Sequence, residues 1–117
     1  MDYQGFHDKV MMVSPAIRFA TICDLNGRIK HSGHRKGVKN LLTAQESLKS
    51  LKTSSNAWKV RNQIARKIGK GKYVLAEYGR IKRIVVPLGN KHLLYLTTGT
   101  RADHAKIISK AIRLKLR

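Results

Sequence analysis

The chain has 117 residues, 42% of them apolar, with 25 Lys and Arg against 6 Asp and Glu, a formal charge of +19. That length carries one compact domain with a real core, and so large a positive excess repels itself unless an anionic partner offsets it. One cysteine, two prolines and 6% aromatics exclude a disulfide framework, a multi-cysteine zinc module, a proline-rich linker and an aromatic-rich stacking protein.

In chain order, Tyr3, Phe6, Val10 and Val13 recur every three to four residues and predict a short helix over 3–13. Ser14-Pro15 ends it, because a proline disfavours helical backbone in the residue before it. Within 16–32 a hairpin is expected. Ile17, Phe19, Thr21 and Cys23 line one face of its first strand, and Asn26-Gly27 is the signature of a tight turn. Residues 33–42 read as a loop rich in glycine and cations. A long helix is expected over 43–68. It opens on the capping box Thr43-x-x-Glu46, is stopped by Gly69, and has Ala44, Leu48, Leu51, Trp58 and Ala65 as its apolar stripe. Over 73–98 a three-strand meander is predicted, turned at Gly79-Arg80 and Gly89-Asn90. A last helix is expected over 101–117, with Ala105, Ile108 and Ile112 as its core stripe. The fold class is therefore α+β, in the order α-β-β-α-β-β-β-α, with helices packed on a five-stranded antiparallel sheet. No apolar run exceeds five residues (Ile84 to Leu88), so neither a membrane span nor a signal peptide is expected, and the expected location is the cytoplasm.

The cations form patterns. Lys106, Lys110, Arg113 and Arg117 are spaced four, three and four, which would put them on one face of the last helix. Lys52, Lys59, Arg66 and Lys70 fall within about a 40° arc of the long helix. Neither stripe is interleaved with acids, as an ordinary solvated face usually is, so both point to phosphate contact. The 28–39 segment adds Arg35, Lys36 and Lys39 beside glycines, and reads equally as a phosphate contact or a solvated loop. Gly69-Lys70-Gly71-Lys72 follows a helix and lacks the following Ser/Thr of a nucleotide-binding loop, so it reads as a helix cap and turn whose lysines, Lys72 among them, can touch phosphate. His31-x-x-His34 has no local third ligand, and no metal or cofactor is expected. The six acids are scattered singly, without paired carboxylates or a nucleophile motif, so no enzyme is expected. Trp58 is assigned to core or dimer interface, and Arg61 beside it to a snorkelling stem or a dimer contact.

The element order, with an Asn-Gly hairpin before the long helix, resembles the Roadblock/dynein light chain family of profilin-like folds. The stretches 18–24, 69–78 and 92–98 also look like a small group of archaeal proteins of unassigned activity. The Roadblock resemblance implies a non-enzymatic homodimer, joined through sheet edges and helices, that serves as a platform for small GTPases. Charge and resemblance lead to two functional expectations. The main one is a homodimeric protein gripping the phosphate backbone of DNA or RNA with low sequence specificity, placed at the nucleoid or ribosome. The alternative is a Roadblock-type scaffold or regulator of a small GTPase, or of another acidic protein. No anchor or lipidation signal supports a membrane partner.

Overall fold

The computed structural model describes all residues, Met1–Arg117. The elements are α1 (Tyr3–Met11), β1 (Ile17–Asp24), β2 (Ile29–His34), α2 (Ala44–Ile68), β3 (Val74–Glu77), β4 (Lys82–Leu88), β5 (His92–Thr98) and α3 (His104–Ala111). The strands form one antiparallel sheet in the order β2-β1-β5-β4-β3. The α+β class and the predicted element order are both found.

Side-chain alternation divides the sheet into two faces. Ala20, Ile22, Ile84, Val86, Leu94 and Leu96 point to one side, where Phe6 and Val10 of α1 and Ile107, Ile108 and Ala111 of α3 complete the main core. Cys23, Val85 and Leu93 point to the other, where Leu51 and Trp58 of α2 form a smaller core. Thus α1 and α3 lie on one side of the sheet and α2 on the other.

Local chemistry accounts for the joints. At the β1–β2 turn Asp24 Oδ1 accepts the backbone N–H groups of Asn26 and Arg28, and Gly27 adopts φ +80°, a left-handed geometry that glycine tolerates without strain. Thr43 and Glu46 complete the capping box of α2 in both directions. Pro87 sits on β4 opposite Leu93 of β5, beyond the stretch of β4 that the short β3 covers. Its missing N–H therefore breaks no ladder bond. Gly33 on β2 is required by packing, since a Cβ there would lie 2.6 Å from the buried His7 ring of α1.

The last helix departs from expectation. α3 ends at Ala111, and residues 112–117 leave it through a turn. Leu114 and Leu116 pack on the main core while Arg113, Lys115 and Arg117 point outward. That period-two alternation belongs to extended chain, not to a helix. Arg117 carbonyl accepts the backbone N–H of Asp2, which pins the two ends of the chain together. The helix's inward face is Ile107, Ile108 and Ala111; Ala105 and Ile112 are exposed.

Candidate functional site

The cations do not converge on one surface. Lys106 and Lys110 ride α3, but Arg113 and Arg117 lie beyond its end, so the predicted four-residue helical stripe does not exist. Lys52, Lys59 and Arg66 ride α2 on the opposite side of the sheet, but Lys70 lies beyond its end, past the turn at Gly69, so this predicted stripe keeps only three of its four cations. Lys59 Nζ donates to Asn26 Oδ1 at the hairpin turn. Lys36, Lys39 and Lys72 stand exposed on loops.

Arg35, read from sequence as a loop cation, has a structural task. Its guanidinium donates to three backbone carbonyls, those of Ile17 (2.9 Å), Met11 (2.9 Å) and Ser14 (3.0 Å). It thereby ties the end of α1 and the start of β1 to the strand edge, and those donors are occupied inside the fold.

Of the two places expected for Trp58, core or dimer interface, it takes the core. It is 2% exposed and belongs to the chain's own small core, with the Arg61 guanidinium 5.4 Å from the ring centroid. Apart from Leu48, the apolar surface that α2 presents lies on its second half: Val60 (57% exposed), Ile64 (46%) and Ile68 (77%). Their spacing of four puts them on one face, and the i, i+4, i+8 repeat is visible in the sequence. At the sheet border, the outer sides of β2 and β3 carry no partner strand.

The first turns of α2, before Leu51 packs down on Cys23, Val85 and Leu93, do not close on the sheet. Between them, the 35–42 loop and the sheet lies an open groove of about 620 Å³. It crosses β2, β1, β5 and β4, a span of ~14 Å at ordinary strand spacing. Phe19, Leu42, Leu51 and Tyr95 contribute to its lining, and Leu41 and Leu48 stand half-exposed beside it. Arg83 lies between two aromatic rings, 5.5 Å from the centroids of both Tyr78 and Tyr95. One of its amino groups donates to Ser50 Oγ (2.6 Å), which lies 2.9 Å from Tyr95 Oη, while its buried Nε–H has no partner. Nothing in the sequence pattern marks this cluster, because it joins α2, β4 and β5 across the fold.

Titratable chemistry is sparse. Burial pushes the Cys23 thiol up to about 11, against a partial lowering by Ser55. Burial likewise holds the His92 imidazole below its usual value, with Lys30 acting in the same direction. Asp24 is raised by desolvation but lowered further by the Arg28 and Asn26 amides and the Lys30 charge, and it ends below the ordinary carboxylate range. No three His, Cys, Asp or Glu side chains gather where they could hold a metal ion. No helix is long and apolar enough to cross a membrane.

The architecture, a five-stranded antiparallel sheet with one long helix on one face and two short helices on the other, is the Roadblock/LC7 form of the profilin-like fold. No family model and no curated protein matches the chain, but solved structures do. The gliding protein MglB of Thermus thermophilus superposes with a TM-score of 0.73 at 15% identity, covering 94% of this chain and 82% of MglB. A Roadblock/LC7 domain from Streptomyces avermitilis gives 0.72 at 16% identity, covering 97% and 93%. Profilin IA of Acanthamoeba castellanii gives 0.62 at 16% identity, covering 94% and 93%. This likeness overturns the nucleic-acid expectation. Beside profilins, the structures similar to this chain are MglB, MglC and Roadblock/LC7 domains, the class to which the alternative reading belongs. The placement of the cations agrees: with one set on each side of the sheet and Arg35 consumed internally, they form no common phosphate-gripping face.

Proposed function

We propose that this chain is a non-enzymatic, homodimeric scaffold of the Roadblock type that engages a small GTPase. The observation that carries the reading is the apolar strip Val60, Ile64 and Ile68 on a Roadblock/LC7 fold whose β3 edge is unpaired. Three large aliphatic side chains at helical spacing on an otherwise charged helix favour burial against another surface, and an open strand edge offers main-chain pairing close by in sequence. A second copy supplies both. An MglB of the same fold has been solved in a tetrameric arrangement, which supports self-association as a property this fold sustains. The positive surface suits an acidic face on the GTPase.

Sedimentation equilibrium tests the assembly. The expected result is a dimer at micromolar concentration that Ile64→Asp converts to a folded monomer; a monomer in the parent chain overturns it. The GTPase is tested by titrating the labelled chain with purified Ras-type GTPases loaded with GDP or a non-hydrolysable GTP analogue. Binding that depends on the nucleotide supports the reading, and indifference of every such GTPase refutes it.

A further inference from the structure

We propose that the groove between the first half of α2, the 35–42 loop and the sheet docks an acidic, leucine-bearing amphipathic segment of a partner protein, with Arg83 as its carboxylate anchor. This surface is separate from the proposed dimer strip, which lies on the second half of α2.

Charge complementarity identifies the occupant. Arg18, Lys39 and Arg83 are among the lining residues, and no carboxylate is. Glu46 lines the adjoining depression, but its Oε1 is bound to the Thr43 backbone N–H in the helix cap. Most of the exposed lining is apolar, with Phe19, Leu42, Leu48 and Leu51 among it, so a purely polar anion would leave that surface wet. An occupant must therefore be anionic and aliphatic at once.

Arg83 is built for the anionic end. Two tyrosine rings and Ser50 hold its guanidinium, so little rotamer freedom is lost when a carboxylate arrives. Its unpartnered, buried Nε–H is a donor whose desolvation has no return within the chain. The chain's own acids are each engaged locally, which favours a different chain as the source of the carboxylate. Asp2, Asp24 and Asp103 each accept backbone N–H groups, Asp8 accepts from Gln4, Glu46 is in the cap, and Glu77 lies 3.7 Å from His104. The groove spans ~14 Å, which a helix of about ten residues covers.

The test uses a fluorescein-labelled peptide of about twelve residues with Glu and Leu on opposite helical faces. Two counterparts replace Glu by Lys and Leu by Ser. Fluorescence anisotropy should show saturable binding of the Glu/Leu peptide that persists at roughly 0.5 M salt, where exposed charge pairs are screened. Arg83→Gln should weaken it roughly tenfold, the loss expected for a charge-assisted hydrogen bond. Leu48→Glu changes an exposed helix position, leaves the fold intact and should abolish binding. Lys110→Glu, on the other side of the sheet, should change nothing. Equal binding of the Lys/Leu or Glu/Ser peptide overturns the proposal, and so does insensitivity to Leu48→Glu. Neither result depends on whether the chain dimerises.

Discussion

Arg35 shows how much one side chain decides. Three carbonyls from two segments accept from a single guanidinium, and removing it takes a donor from each, although the Ser14 carbonyl keeps the Ile17 N–H. Arg35→Met should lower unfolding stability by about 2–4 kcal/mol, read as a fall in the denaturant midpoint without a change in slope. Cys23 makes the second residue-scale prediction. Its thiol lies fully buried on β1 beneath α2, 4.0 Å from Ser55 Oγ. It should resist a charged thiol reagent at pH 8 in the native chain and react fully after denaturation. The native state also holds this proton more tightly than the unfolded chain, by a shift from 9.0 to about 11. The sign follows from linkage: the stabilisation is complete below pH 9 and is lost as pH rises towards 11, because only the unfolded thiol ionises there. Cys23→Ala should remove that part of the alkaline loss, measured as the difference between the two chains' unfolding free energies across that window.

At the scale of the element, α2 divides into two halves with different work. Leu51, Ser55 and Trp58 face the sheet at helical spacing, and the second half carries the exposed strip. Trp58→Ala should cost about 3–5 kcal/mol, the usual range for a buried large aromatic, whether or not the chain is assembled. Thr43→Ala should cost only about 1 kcal/mol, since it removes one cap from a long helix. Circular dichroism on the same urea series separates the two. α3 teaches the opposite lesson. Lys106 and Lys110 keep helical register, but the chain switches to extended alternation at Leu114-Lys115-Leu116-Arg117, and the cationic stripe breaks there.

For the molecule as a whole, the sheet separates the cationic α2 from Lys106 and Lys110, so net charge alone overstates what any one partner can touch. If the second half of α2 and the β3 edge join two copies, stability is coupled to concentration. The melting temperature should then rise measurably over a hundredfold increase in protein concentration, and Ile64→Asp should abolish that dependence while keeping a cooperative transition. A concentration-independent melt of the parent chain would count against the dimer.

The α+β class, the element order and the main punctuation were legible in the residues themselves. Those features rest on local physics: Asp24 and Gly27 close the turn around Asn26 as a longer loop than the two-residue turn expected, Thr43 and Glu46 cap whatever helix follows, and Gly69 ends it by conformational freedom alone. The site was not legible in the same way. Whether Arg35 met solvent or three carbonyls, whether Trp58 faced a partner or Cys23, and whether Arg83 came to rest between Tyr78 and Tyr95 depended on which strands became neighbours. Strand order brings together residues far apart in the chain, and charge and periodicity carry no information about that pairing. Folding settled it by burying two separate apolar faces on one sheet, which left the groove beside the first half of α2 and the strip on its second half as the surfaces still open.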